Sequence, residues 1–277
     1  MSTLGVRVSP DWLVLREPAD AAARSAELAE RLARHLPAAG RLVIHDLGGG
    51  SGAMGRWLAP RLPGPHHWVV HDRDGDLLES AVAASPGSAA VTVEARRSDI
   101  TRLTPDDLAG ASLITASALL DLLTGDELAG LVAVCGGAGC PVLLTLSVVG
   151  RVDLTPADPL DSRVAAAFDA HQRRTTESGR LLGPDAVAAI VEAFSRLRAE
   201  VLVRPSPWQL GALEADLAAQ WFTGWVAAAC EQQVELVAEA DAYTGRRLAQ
   251  AAAGQLAVTV DHADLLILPR RADRGPE

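Results

Sequence analysis

Leu42-Val43-Ile44-His45-Asp46-Leu47-Gly48-Gly49-Gly50-Ser51-Gly52-Ala53-Met54-Gly55-Arg56-Trp57 is the stretch from which the fold can be read. The β-branched run Leu42 to Ile44 predicts a buried strand, Gly48 to Gly52 a tight loop, and Ala53 to Leu58 the first turns of a helix. A strand, a glycine loop and a helix in that order make a candidate nucleotide cradle. Glycines let the chain reverse at unusual backbone angles and let a ligand approach a backbone that carries no side chains. Two patterns overlap here. Gly50-Ser51-Gly52-Ala53-Met54-Gly55 fits the G-x-G-x-x-G dinucleotide fingerprint, while Asp46-Leu47-Gly48-Gly49-Gly50-Ser51-Gly52 places an acid ahead of glycines at every second position.

That second pattern resembles motif I of the class I S-adenosylmethionine-dependent methyltransferases. The resemblance implies an α/β fold, a doubly wound, mostly parallel sheet of seven strands, with S-adenosyl-L-methionine as cofactor. It assigns Asp46, Gly48, Gly50 and Gly52 to the cofactor's amino-acid portion. A pyrophosphate prefers an uncharged cradle of amides, so a carboxylate at Asp46 suits an ammonium group better than a diphosphate.

The downstream chain adds further positions. A second strand is expected at His67 to His71, ending at Asp72, which follows Gly52 at the spacing of a ribose-binding acid and fits either nucleotide reading. Asp74 is expected in a turn and Asp76 at a helix N-cap, ahead of a helix from Leu77 to Ala84. After a third strand, Val91 to Ala95, the segment Arg97-Ser98-Asp99-Ile100 resembles the methyltransferase loop whose acid accepts from the adenine amine and whose next side chain touches the ring. Asp99 as a plain turn residue remains the alternative. After a fourth strand, Ala111 to Ala116, the resemblance points Ser117 at the cofactor sulfur and starts a helix at Leu119-Leu120-Asp121. Cys135 to Cys140 reads as a glycine-rich turn before a fifth strand, Val142 to Ser147.

Composition removes other chemistries. The chain has 277 residues and a net charge of -10, which argues against a nucleic-acid partner. No apolar run approaches the ~18 residues of a membrane span, and no signal peptide is evident, so a cytoplasmic protein is expected. The 3 cysteines lack metal or disulfide spacing, and no metal is expected. Lysine and asparagine are absent, which excludes a P-loop lysine, a Schiff base and a Tyr-x-x-x-Lys dyad. No Gly-x-Ser-x-Gly elbow occurs.

Around this core, residues 1–40 read as an N-terminal helical lid. An amphipathic helix is expected from Asp20 to Leu36, with Glu27–Arg31 and Glu30–Arg34 as surface pairs and Trp12, Arg16 and Arg24 as candidate lid residues. The core sheet is expected over 41–204 and 257–269, with strand six at Glu200 to Val203 antiparallel to strand seven at Asp264 to Leu268. A helical insertion between these last two strands, 205–256, carries Trp208, Trp221, Phe222, Trp225 and Tyr243, read either as packing or as an acceptor pocket. A disordered tail is expected over 270–277.

For the acceptor, Trp12, Asp153, Asp158, Gln172 and Trp221 are candidate contacts. His171, on an expected helix from Ser162 to Arg173, is the candidate general base, since an imidazole of ordinary pKa accepts a proton at neutral pH. A surface histidine without a role is the alternative. The function implied is methyl transfer to a small-molecule acceptor, by O- or N-methylation in secondary metabolism. Two rivals stand beside it: an NAD(P)-dependent oxidoreductase using Gly50, Gly52 and Gly55, and a non-catalytic protein that binds the nucleoside cofactor. A homodimer is left open.

Overall fold

The computed structural model describes residues 8–85 and 90–270. The start of the expected lid and the tail from 271 lie outside the described residues. In chain order the elements are α1 (Pro10–Ala23), α2 (Ala26–Ala33), β1 (Leu42–Leu47), α3 (Ala53–Leu58), β2 (His66–Asp72), α4 (Gly75–Ala83), β3 (Val91–Arg97), β4 (Leu113–Ser117), α5 (Gly125–Ala138) and β5 (Val142–Thr155). There follow α6 (Asp161–Gln172), a two-residue pair β6 (Thr175–Thr176) and β7 (Gly179–Arg180), α7 (Ala186–Arg196), β8 (Glu200–Pro205), β9 (Trp208–Leu210), α8 (Ala215–Gln232), α9 (Val237–Ala252) and β10 (Ala257–Leu268).

The main sheet runs in the order β3-β2-β1-β4-β5-β10-β8, with β9 also paired to β10. Strands β1 to β5 are parallel, and β10 is antiparallel to β5, β8 and β9. The strand order reverses between β1 and β4, which opens a crevice at the carboxyl ends of these strands. Leu128, Leu131, Ile190 and Phe194 from α5 and α7 bury against one face. On the other face Leu28, Leu32, Met54 and Trp57 from α2 and α3 do the same. The seven-stranded, doubly wound expectation matches this path, and β9 is the addition.

Local physics moves several boundaries. The expected helix over Asp20 to Leu36 is two helices, because the Ser25 hydroxyl takes the Leu28 N–H at 3.2 Å while its own N–H donates to Asp264 Oδ2 at 2.7 Å. A serine bonded in this way starts a helix rather than continuing one. Asp74, and not Asp76, caps α4, its side chain accepting from the Asp76 and Leu77 amides. Gly136 and Gly137 do not form the expected turn. They extend α5, which starts in a Thr124–Glu127 capping box and stops only at Gly139, where φ is 64°. The i,i+4 pairs expected on α2 are replaced by longer reaches, Arg31 to Glu200 at 2.6 Å and Arg204 to Glu27 at 2.6 Å. β5 continues well past Ser147 to Thr155, still paired with β10, before the chain turns to α6.

Helices α6, α8 and α9 pack around a separate apolar cluster. Trp208, Phe222, Trp225 and Tyr243 are buried in it, and Trp12 and Leu15 of α1 pack on its edge. Phe222 touches Trp225 and Tyr243 with ring centroids at 5.7 and 5.2 Å. Helix α1 is thereby fixed between this cluster and the crevice.

Candidate functional site

The glycine loop leaves β1 at Leu47 and turns over the carboxyl edge of the sheet. Gly48, Gly50 and Gly52 all have left-handed backbones, with φ of 65°, 52° and 79°, a region that side chains enter only at a cost. Gly49 is needed for a different reason. A Cβ there would lie 2.6 Å from Asp46 Oδ2 and 2.7 Å from Val70 Cγ1. Arg56 of α3 ties the loop to α1: its guanidinium donates to the Ser51 carbonyl at 2.6 Å and to both Glu17 oxygens of α1 at 2.7 and 2.5 Å.

Asp46 is fully buried. Thr115 Oγ1 donates to its Oδ1 at 2.7 Å, and among the described residues its Oδ2 has no hydrogen-bond partner. Burial pushes the carboxyl up to about 7, against the pull of the Thr115 hydrogen bond and the Arg24 charge. Arg24 follows α1 and is only 5 % exposed. Its Nη2 donates to Ser117 Oγ at 3.1 Å, while Nε and Nη1 are buried with no hydrogen-bond partner among the described residues. Burial lowers its pKa, and the charges of Asp20, Asp46 and Asp264 oppose that. Thr115 and Ser117 lie two apart on β4 and so share a face. One engages the buried acid and the other the buried base.

Asp264 places Arg24. Its Oδ2 takes the Ser25 amide, and its Oδ1 takes the Leu146 amide at 2.8 Å, where β5 has a left-handed residue of φ 57°. Ala118, at the end of β4, is also left-handed with φ 51°, and its N–H donates to the Thr145 carbonyl at 2.9 Å. Non-glycine strain of this kind gathers at sites whose geometry the surrounding structure enforces.

Asp72 accepts from the Gly50 amide at 2.9 Å through Oδ2 and from the Asp74 amide at 3.0 Å through Oδ1, leaving a lone pair on each oxygen. Asp99 takes the Thr101 amide at 3.0 Å, the Thr101 hydroxyl at 2.7 Å and the Arg73 guanidinium. Ser98, beside it, reaches His71 of β2 at 3.0 Å.

These groups surround a cavity of about 730 Å³, within the range of small-molecule sites. Of the residues expected from sequence, Trp12, Asp46, Gly48, Gly50, Asp72, Ile100 and Ser117 line it. Gly52 does not line it but shapes the loop from behind. Asp99 turns aside to Arg73. The remaining candidates are elsewhere. Asp153 pairs with Arg151 at 2.9 Å, and Asp158 with Arg246 at 2.9 Å. Trp221 stacks on Trp225 with centroids 5.3 Å apart. Gln172 ends α6 and packs against Gly183. His171 Nε2 meets Glu231 Oε2 at 3.1 Å, across α6 and α8; burial and the Arg174 charge lower its pKa.

Other lining residues were not singled out as contacts from sequence: Leu13, Asp20, Ser98, Leu119 and Leu122. The i,i+4 spacing of Arg16 and Asp20 was a usable signal for one of them, and the pair is bidentate at 2.9 and 3.1 Å. Among the described residues no group of His, Cys, Asp or Glu is arranged to hold a metal ion. Among them also, no helix is long and apolar enough to cross a membrane.

No protein-family model matches the sequence, and no curated protein matches it. Solved structures do. The cyclopropane synthase MmaA2 from Mycobacterium tuberculosis is 13% identical, with 94% of each chain covered and a TM-score of 0.52. The YcgJ protein from Bacillus subtilis is 12% identical, with 90% of this chain and 100% of that one covered and a TM-score of 0.50. The apo form of the mycolic acid cyclopropane synthase CmaA1 is 13% identical, with 94% and 99% covered and a TM-score of 0.50. With its glycine loop, its strand order and the crevice at the carboxyl ends of its strands, the chain has the Rossmann-like fold of the class I methyltransferases.

Proposed function

We propose that the chain is an S-adenosyl-L-methionine-dependent methyltransferase acting on a small-molecule acceptor. The observation that carries this reading is the buried pair Asp46 and Arg24, opposite charges at one cavity, each with hydrogen-bonding atoms left unused. Unpaired buried charge is expensive unless a ligand satisfies it. An amino acid's ammonium and carboxylate are the complementary ions, and the methionine portion of the donor carries both. A nicotinamide dinucleotide brings a diphosphate instead, which a carboxylate at Asp46 would repel.

The other assignments follow the cavity. The lone pairs of Asp72 suit ribose hydroxyls, and Ile100 supplies an apolar contact for a purine. When bound, S-adenosyl-L-methionine supplies a sulfonium methyl that an acceptor takes in line, the sulfur leaving as a neutral thioether. The chain's own residues bind, orient and exclude water. Helix α1, held by Glu17–Arg56, closes one side, and alignment of the two partners can supply much of the rate.

The acceptor end is lined by Trp12, Leu13, Leu119 and Leu122, with the Arg16–Asp20 pair at its border. This supports a largely apolar small molecule with one polar group. His171 faces Glu231 rather than the cavity, so the reading favours an oxygen or nitrogen acceptor that is already nucleophilic at neutral pH. Residues 205–256 act as a cap that braces α1. Two of the matched structures are named cyclopropane synthases, and methyl transfer to carbon is therefore an outcome that product analysis must distinguish.

Calorimetric titration with S-adenosylhomocysteine and with NAD tests the donor. Binding of the first and not the second is expected, and the reverse overturns the proposal. Mass spectrometry of a native extract incubated with methyl-labelled donor then identifies the acceptor and the methylated atom. Donor binding without transfer to any component would favour the non-catalytic rival.

A further inference from the structure

A second cavity, of about 490 Å³, lies on the sheet face that carries Asp46, with residues of α3 and α4 on its two sides. Small side chains leave it open. The helices meet at Gly52, where a Cβ would come within 3.3 Å of the Ala81 Cβ. Beyond that point Gly55, Ala59 and Ala84 carry too little side chain to fill the space over the sheet. The floor is Trp68 and Val70 of β2 with Val91 and Val93 of β3. Both of these β3 valines stay half-buried, an apolar surface that the neighbouring helices leave uncovered.

Trp68 gives this apolar space a polar handle. The residue is 1 % exposed, and among the described residues its indole N–H has no hydrogen-bond partner. A buried indole N–H ordinarily finds one. The ring itself is well packed: a Cβ on Gly55 would lie 3.5 Å from Trp68 Cδ2 and Cε3, so α3 runs against the indole. A phenylalanine would provide a similar apolar contact without an unused donor. The other lining groups restrict the charge of an occupant. Arg56 is the lining cation, and its guanidinium is already engaged by both Glu17 oxygens and the Ser51 carbonyl. Asp46 stands in the wall that this cavity shares with the first. An anion would meet that carboxylate with no unengaged cation to offset it. The complement is a neutral, apolar molecule with a hydrogen-bond acceptor.

We propose that this cavity is a second ligand site, taking a neutral medium-chain ketone, ester or amide whose carbonyl oxygen accepts from Trp68 Nε1–H. It goes beyond the methyltransferase reading and does not rest on it, since Trp68 does not line the first cavity.

The test follows the indole N–H signals of the full chain by nitrogen-15 spectroscopy, with 2-nonanone as the ligand. The 6 tryptophans give one signal each, and Trp68→Phe identifies that of Trp68 by its loss. In wild-type protein 2-nonanone should shift the Trp68 signal downfield and saturably, and excess S-adenosylhomocysteine should leave that response in place. Trp68→Phe should weaken 2-nonanone by about five- to tenfold in titration calorimetry, one hydrogen bond's worth. Octanoate, of similar length but charged, should bind at least about tenfold more weakly than 2-nonanone. Val93→Phe fills the cavity from β3 and should abolish the Trp68 response while its signal remains. It also keeps the test open should Trp68→Phe fail to fold, the signal then being assigned through its own side-chain correlations. A Trp68 signal that does not respond to 2-nonanone, a response that survives Val93→Phe, or octanoate binding as tightly as the ketone overturns the inference. Failure to bind S-adenosylhomocysteine, with the Trp68 response intact, overturns the donor reading alone.

Discussion

Replacing Asp46 with asparagine removes a charge while keeping the volume that fills the space beside Gly49, and it separates what the buried carboxylate costs from what it does. In the folded chain this carboxyl titrates at about 7 rather than 3.8. The folded value lies above the unfolded one, so the protonated form is the one folding favours. That advantage is complete below pH 3.8 and is lost as pH rises through 7. The gap of roughly three units corresponds to about 4 kcal/mol at ~1.4 kcal/mol per unit, of which about 3 kcal/mol falls between pH 5 and pH 8. Asparagine carries no such penalty, and its carbonyl can still accept from Thr115.

Without ligand, Asp46→Asn should therefore melt above wild type at pH 8 by roughly 5–10 °C, with the difference shrinking toward pH 5. Donor binding should move the other way. A charge-assisted hydrogen bond to an ammonium is worth about 1.5–3 kcal/mol, so the variant should bind S-adenosylhomocysteine on the order of 10- to 150-fold more weakly. Scanning calorimetry at pH 5 and 8 reads the first effect and titration calorimetry at pH 8 the second. If the variant melts at or below wild type at pH 8, the burial argument is wrong. If affinity is unchanged, Asp46 does not hold the amino group.

Three further outcomes are expected. Arg24→Gln should weaken S-adenosylhomocysteine by at least about tenfold but leave its decarboxylated analogue nearly unaffected, which a competition titration with both ligands checks. Gly49→Ala should push the Asp46 carboxylate out of place and abolish donor binding at a stability cost of about 1–3 kcal/mol, read by titration and by denaturant melts. His171→Ala should leave both donor affinity and transfer rate within about twofold, because its contact with Glu231 is a half-exposed pair worth at most ~1 kcal/mol; a large fall in rate alone would return His171 to the mechanism.

What could be read from the sequence is what the backbone demands locally. The loop was legible because Gly48, Gly50 and Gly52 stand at left-handed positions within a few residues of the strand that needs them. Asp46 and Asp72 were legible because parallel strands deliver their last residues to one crevice. The edge pair β8 and β10 was visible as apolar runs, and the aromatic residues of α8 and α9 could be located but not aimed. Their spacing is the same whether they face a ligand or one another, and Phe222 and Trp225 face one another. The position of Asp99 was likewise legible and its bonding was not, since Arg73 and Thr101 decide it.

Arg24 shows why the remainder was hidden. It reaches the cavity because the chain breaks at Ser25, and the break is held by Asp264, 239 residues away in sequence. Its guanidinium is then positioned by Ser117, 93 residues away. No periodicity encodes such a contact; a helix read from its own pattern simply continues through that point. The same long-range bonds leave an arginine and an aspartate buried with unused hydrogen-bonding atoms, a choice that folding alone would penalise. Local rules are broken where a ligand is meant to complete the structure. The buried charges that sequence patterns could not place are therefore the ones that say most about what the cavity is built to hold.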